Sequence, residues 1–276
     1  MADTSTVQAE AMGPDNVPAP MDRSHRLSDT VPVSVCGLPV HALTLAESIA
    51  AADELIADGR PHQHVSVNAA KIVRAQRDSE LARIIRSCEL VNADGQAVVW
   101  AGRMLGRPLP ERVTGIDFML ALWERAACER YRVFLLGAEP AVVRRVAAIA
   151  TSQGVDVVGY RDGYWSDEQE PKVVAAVRAA RPDLLFLAVP TPRKEYFLAR
   201  HLADLNCGLA VGVGGSFDVV AGIRARAPRW MRKVGLEWSF RLMQEPRRLF
   251  VRYLIGNTAF VLLVLRDAVM QRKTHR

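Results

Sequence analysis

From Val31 to Met270 the apolar residues follow two alternating rhythms. Six short apolar runs have strand length: His64–Val67, Glu89–Asn92, Tyr131–Leu136, Val155–Tyr160, Asp183–Val189 and Leu209–Val213. Between and after them, apolar residues fall at helical spacing over Ala69–Arg86, Gln96–Leu105, Gly115–Glu129, Ala141–Ser152, Asp167–Ala180 and Arg193–Leu205. Tyr131–Leu136 is apolar without a break, as expected of a strand covered on both faces of a parallel sheet. Pro140 is well placed as the first residue of the helix that follows. Ahead of this series, Val31–Val40 alternates around Gly37 and Pro39 and predicts a small hairpin. Leu45–Ile56 predicts a helix opened by a capping box, Thr44 with Glu47. Strands alternating with helices predict an α/β fold: a Rossmann-like, mostly parallel sheet flanked by helices.

Beyond Gly222 the alternation stops. Trp230, Leu236, Trp238, Phe240, Phe250 and Tyr253 interleave with arginines, and Leu254–Met270 reads as one helix. Its continuous apolar run, Ala259–Leu265, is far shorter than the ~20 residues that span a bilayer. The reading is therefore a basic helical appendage, 223–276, that lies against a membrane surface, following an α/β domain over 31–222. Residues 1–30 are rich in Ala, Pro, Asp, Ser and Thr and lack the apolar core of a signal peptide; they read as a disordered tail.

Charge sharpens this division. The net charge is +6, yet Arg224–Arg252 alone holds eight Arg and one Lys against Glu237 and Glu245. The rest of the chain is close to neutral, so the anionic partner belongs to the C-terminal segment. A polybasic, Trp-bearing helix draws anionic lipid at ~1 kcal/mol per basic residue, and Arg248 and Arg252 fall one helical turn apart. Nucleic acid ranks below lipid because no recognised RNA- or DNA-binding module is present. The four cysteines, Cys36, Cys88, Cys128 and Cys207, are widely separated and fit a reducing cytosol. The six histidines form no H-x-x-x-H pair and there is no D-x-D motif, so no metal site is expected.

Candidate chemistry gathers where strands end. Ser66-Val67-Asn68 and Asp94-Gly95-Gln96 each follow a predicted strand and precede a helix. Both should sit at strand C-ends beside helix N-termini, where open α/β sheets place ligands. Asp94 there could act as a general base or serve as a turn or N-cap. Ser66 and Asn68 point the same way from the strand, as ligand contacts or as a helix cap. Arg103 and Arg112 could grip a diphosphate or a uronate bidentately. Gly137 and the turn around Gly214 could admit phosphate to a helix N-terminus. Tyr164 could stack on a base or fill the core.

Several longer motifs resemble one family. They are Ser-Val-Asn at 66–68, Ala-Asp-Gly-Gln with Val98-Val99-Trp100, and Pro108-Leu109-Pro110-Glu111-Arg112-Val113-Thr114-Gly115-Ile116-Asp117. To these add Gly212-Val213-Gly214-Gly215-Ser216-Phe217-Asp218, Arg226-Ala227-Pro228, Gly235-Leu236-Glu237-Trp238 and Glu245-Pro246-Arg247-Arg248-Leu249. Over roughly Val33 to Val264 the chain resembles the WecG/TagA/CpsF glycosyltransferases. That resemblance implies sugar transfer from a UDP-sugar, of N-acetylmannosamine or uronic-acid type, to a polyprenyl-diphosphate-linked saccharide in bacterial surface polysaccharide synthesis. It implies Asp94 as catalytic base in a direct, inverting displacement with neither metal nor cofactor. It implies donor contacts from Ser66, Asn68, Gln96, Arg103, Arg112, Gly137, Tyr164, Lys194, Gly214 and Asp218. Arg241, Arg247, Arg248 and Arg252 would hold the acceptor diphosphate at an anionic membrane. The expected location is the cytoplasmic face of the plasma membrane, with a homo-oligomer as a further expectation. Two positions depart from the family pattern: Ser66 stands where Thr is usual, and Lys194 where Gln is usual. A nucleotide-dependent oxidoreductase on the same sheet would need G-x-G-x-x-G after the first main strand, which instead ends in Ser-Val-Asn. A non-catalytic membrane-surface adaptor would need only the basic tail.

Overall fold

The computed structural model describes residues 27–244 and 246–274. Most of the sequence expected as a disordered tail thus lies outside the described residues; its end, Leu27–Asp29, is a short 3-10 helix. Six parallel strands form one sheet in the order β4-β3-β8-β7-β5-β6. They are β3 (His62–Val67), β4 (Leu90–Ala93), β5 (Arg132–Gly137), β6 (Asp156–Arg161), β7 (Leu184–Ala188) and β8 (Leu209–Gly212). The expected α/β class holds, and each strand falls within a residue or two of its apolar run.

The chain divides into two compact units, and β3 runs through both. The first comprises Leu45–His64 and Gly115–Ala225, with the short segment up to Thr30. It holds α1 (Leu45–Ala57) and, in later order, helices over Gly115–Glu129, Pro140–Ser152, Glu170–Ala180, Arg193–Leu205 and Ser216–Val220. Its central strands β5 and β7 pair in register from Val133 with Leu184 to Gly137 with Ala188. Both are buried almost end to end, which is why they read as unbroken apolar runs. Phe134, Leu185, Leu187, Val173, Val177 and Phe197 belong to one continuous core. At the sheet's edge β6 is only partly buried, and Asp156 and Arg161 place charges at its two ends.

The second unit comprises Val31–Thr44, Val65–Thr114 and the chain from Arg226 onward. The predicted hairpin is present as β1 (Val33–Val35) and β2 (Leu38–Val40), antiparallel with Val35 opposite Leu38. Cys36 and Gly37 turn it with φ of 50° and 81°, the positive pair that two-residue hairpins favour. The stretch expected as one helix over Ala69–Arg86 is broken into α2 (Ala69–Ala75) and α3 (Ser79–Arg86). Asp78 makes the break: its Oδ1 accepts from the Leu81 N–H at 3.0 Å and starts a new helix. Then come α4 (Gln96–Met104) and, counting the first unit's helices Gly115–Glu129 to Ser216–Val220 as α5 to α9, α10 (Arg229–Lys233), α11 (Glu237–Gln244) and α12 (Pro246–Thr274).

The last helix is longer than Leu254–Met270. It contains an 18-residue window, Tyr253–Met270, long and apolar enough to cross a membrane by length and composition. Counting only the unbroken run Ala259–Leu265 understated that surface. Phe260 and Val264 are buried, whereas Leu254, Ile255, Val261, Leu262, Leu265 and Val269 are exposed. Toward its C-terminal end, the Asp267 carboxylate accepts from the Cys36 N–H at 3.1 Å within the same unit.

Candidate active site

Both polar triplets sit at strand C-ends in the second unit. The Asp94 N–H donates to the Val67 carbonyl at 2.7 Å, so the strands stop side by side. Asn68 caps α2, its side-chain oxygen accepting from the Lys71 N–H at 3.0 Å. Lys71 is buried, and its ammonium folds back to donate to the Ser66 carbonyl at 2.7 Å. The Ser66 hydroxyl is buried and, among the described residues, has no hydrogen-bond partner. A buried hydroxyl left unpaired costs free energy that a ligand could recover.

Asp94 is not a cap. Gly95 occupies the cap position of α4, and no side chain bonds to that helix start. The Asp94 carboxylate has no side-chain hydrogen bond among the described residues, though the residue keeps partial solvent access. Enclosure by protein raises its pKa, the charge of Arg241 opposes the rise, Glu237 adds to it, and Lys71 and Arg112 oppose it. The net is a carboxylate more basic than a surface aspartate, surrounded by cations but not bonded to them.

The cations are organised by Glu237. Arg112 lies in the loop after α4, which is clamped where the Val113 N–H donates to the Ala93 carbonyl at 3.0 Å. Its Nη1 donates to Glu237 Oε2 at 3.1 Å and its Nη2 to the Arg232 carbonyl at 3.3 Å. Arg241 Nη2 donates to Glu237 Oε1 at 2.7 Å. Burial would raise the Glu237 pKa, but Arg241 and then Arg112 and Arg226 outweigh it and hold the carboxyl below its ordinary value. Just before α11, Gly235 lies against Gln96, the first residue of α4. A Cβ on Gly235 would come within 2.7 Å of the Gln96 Cγ, so only glycine lets the two segments approach this closely. Arg103 is exposed in the last turn of α4, roughly 10 Å along the axis from Gln96 at 1.5 Å per residue. Arg247 is exposed on α12, and the side chains of Arg248 and Arg252 lie outside the described residues.

The remaining candidates belong to the first unit. Gly137 ends β5, and a Cβ there would sit 2.4 Å from the Ala188 carbonyl oxygen. The neighbouring strand, then, already requires glycine at this position. Gly214 has open space around it. Tyr164 is 68% exposed, and its neighbour Trp165 is the core aromatic, donating from Nε1 to Glu170 at 3.3 Å. Lys194 is buried instead of solvated: it donates to Thr191 Oγ1 at 2.7 Å and lies 3.4 Å from the buried Glu195 carboxylate. Asp218 pairs with Arg224 at 3.3 Å.

Residues 33–274 match the profile of the Glycosyl transferase WecG/TagA/CpsF family. The chain belongs to that family. A curated relative from Bacillus spizizenii is 31% identical over 203 residues, 73% of this chain and 77% of the relative. That protein is named N-acetylglucosaminyldiphosphoundecaprenol N-acetyl-beta-D-mannosaminyltransferase. As a WecG/TagA/CpsF member the chain is a glycosyltransferase, which removes the oxidoreductase and adaptor readings.

Within this glycosyltransferase, the second unit brings Asp94, Arg112 and Arg241 into electrostatic contact, with Ser66, Asn68 and Gln96 at the adjoining strand and helix ends. Gly137, Tyr164, Lys194, Gly214 and Asp218 fall in the first unit. Lys71 and Glu237 are absent from the sequence-derived site. Glu237 carried two available signals, its place in the Gly235-Leu236-Glu237-Trp238 motif and its position four residues before Arg241 on a helix. Nothing in the sequence ties it to Arg112, 125 positions away.

Proposed function

We propose that this glycosyltransferase moves a sugar from a UDP-sugar to a polyprenyl-diphosphate-linked N-acetylglucosamine, with Asp94 as general base. The observation that carries the proposal is the Asp94 carboxylate itself: at a strand C-end, raised in pKa, without a side-chain hydrogen bond among the described residues, and near three cations. The acceptor is suggested by the relative's name. The acceptor hydroxyl oxygen attacks the anomeric carbon and its proton passes to Asp94. The bond from that carbon to the UDP oxygen breaks, and its electron pair leaves with UDP. Attack opposite the leaving group inverts the anomeric centre.

A base placed within reach of the hydroxyl contributes about 10²–10⁴-fold, more effectively as its pKa approaches the working pH. Arg112 and Arg241 supply fixed positive charge for a diphosphate, the kind of stabilisation that suits developing negative charge. The donor sugar is proposed as N-acetylmannosamine or a uronic-acid relative, and the reaction as metal-independent.

We place the enzyme on the inner face of the plasma membrane, held by the exposed apolar face of α12 and its arginines. Burial of Phe260 and Val264 and the Asp267–Cys36 bond favour a helix that stays against its own unit over one that crosses the bilayer. The test offers purified protein a panel of UDP-sugars with a short polyprenyl-diphosphate N-acetylglucosamine, with and without a chelator, and assigns product stereochemistry by NMR. Turnover of UDP-N-acetylmannosamine that survives the chelator, with inversion, is expected. Absence of transfer from every UDP-sugar would refute the donor class, and retention would refute direct displacement.

A further inference from the structure

We propose that Glu237 is a positioning residue that holds Arg112 and Arg241 as one diphosphate-binding pair beside Asp94, each carboxylate oxygen gripping a different guanidinium. The inference rests on the reading of Asp94 as base, and it concerns a residue that would touch neither substrate. Glu237 is buried, and its two oxygens divide their bonds: Oε2 takes Arg112 at 3.1 Å, Oε1 takes Arg241 at 2.7 Å. The two arginines come from segments far apart in the chain. Arg112 is fixed by the loop bonded to the end of β4, one residue before Asp94, while Arg241 is one turn along α11 from Glu237. Glu237 is also the first residue of α11, where the helix terminus favours a negative charge.

The division of exposure gives the pair its function. The Arg112 side chain is 14% exposed and the Arg241 side chain 60%. One guanidinium is locked in the protein; the other faces solvent. Each guanidinium has five N–H donors, and Glu237 uses one from each. Without that carboxylate two like charges would repel at the position where an anionic substrate must bind. With it, the pair is assembled before substrate arrives, the condition under which fixed charges stabilise a reaction without reorganising.

The same carboxylate also acts on Asp94. The charges facing Asp94 are Arg241, Glu237, Lys71 and Arg112, and Glu237 is the one that makes it more basic. Removing the Glu237 charge should therefore lower the Asp94 pKa, an effect that a purely architectural carboxylate would not have.

The experiment uses the full-length chain, UDP-N-acetylmannosamine and a short polyprenyl-diphosphate N-acetylglucosamine, with kcat/KM for acceptor followed across pH. Glu237→Gln keeps the shape and removes the charge. Its plateau kcat/KM should fall on the order of 10–100-fold, and its acid limb should move to lower pH, because that limb reports the base in the free enzyme. Glu237→Asp keeps the charge on a shorter stem; its plateau should fall while its acid limb returns toward the wild-type position. Should Glu237→Gln fail to fold, Glu237→Asp carries the test alone: a lowered plateau with an unmoved limb supports the proposal, and wild-type kinetics overturns it. A folded Glu237→Gln protein whose acid limb stays in place also overturns it, even with a lowered plateau. Asp94→Asn separates the two layers. Inactive Asp94→Asn beside a wild-type Glu237→Gln refutes the positioning role alone, whereas full activity in Asp94→Asn removes the base and this inference with it.

Discussion

Glu170 in the first unit and Asp94 in the second are both enclosed carboxylates with positive groups close by, and their acidities move in opposite directions. Glu170 opens α7 and is saturated: His201 Nε2 lies 2.8 Å from Oε1, Arg200 lies 3.0 Å from the same oxygen, and the Trp165 N–H reaches Oε2 at 3.3 Å. Burial alone would raise its pKa, but the bonds from His201 and Trp165 and the Arg200 charge leave it lowered. Asp94 has charged neighbours but no ion pair or side-chain hydrogen bond among the described residues, so burial prevails and its pKa is raised. On the proposed reading of Asp94 as base, this is the difference between a structural carboxylate and a catalytic one. Bonds delivered directly to the oxygens satisfy the charge and consume its basicity. Charges held a little way off keep the group ionisable and leave its lone pairs for a substrate proton.

The sharpest way to break this comparison is to neutralise each carboxylate in turn. Asp94→Asn should cost about 10²–10⁴-fold in kcat, measured as transfer to the lipid-diphosphate acceptor, without loss of fold by circular dichroism. A group whose folded pKa is raised stabilises the fold below its ordinary value and loses that contribution as pH rises through the folded value. Asp94→Asn should therefore be more stable than wild type at neutral pH, and a lower melting temperature there would contradict the assigned direction. Glu170→Ala should do the reverse. It leaves the Trp165 N–H without its acceptor and should cost about 1–3 kcal/mol in chemical denaturation, with kcat of the folded enzyme unchanged.

A subtler prediction separates the pair by pH. Because the folded pKa of Glu170 is lowered, its contribution is present above the ordinary glutamate value of about 4.3 and is lost as pH falls through the folded value. Wild type and Glu170→Gln should accordingly converge in stability in acid and diverge toward neutrality. Parallel curves would mean that the carboxylate charge is not what stabilises this cluster. The smallest effect belongs to Asp78, whose carboxylate caps a helix start and lies 3.7 Å from the Arg74 guanidinium. Asp78→Ala should cost about 1 kcal/mol and Asp78→Asn much less, since asparagine caps equally well.

Much of the fold was legible because it depends on periodicity. Unbroken apolar runs gave β5 and β7, and helical spacing gave Arg193–Leu205 to the residue. The break at Asp78 was missed because helical apolar spacing resumes at once beyond it, at Leu81 and Ile85, and only the Asp78 cap marks the start of a second helix. Trp165 and Tyr164 show the same limit at one residue's resolution. Either aromatic could fill the core by composition, and the partner at Glu170 decided that Trp165 does. At the site, Asp94 was identified through its motif and its place after a strand, but the same residues fitted a cap equally well until Gly95 took that position.

What the sequence determined by itself was the order of strands and helices, the family to which the chain belongs and the concentration of positive charge near its end. Those are properties of neighbours along the chain, set by local spacing and residue type. Only the tertiary structure decided which cations face Asp94, that Lys194 is buried beside Glu195, and that Arg112 meets a glutamate 125 positions away. The physical reason is distance: electrostatic interaction depends on separation in space, and separation in space between remote residues is fixed only when the chain closes on itself.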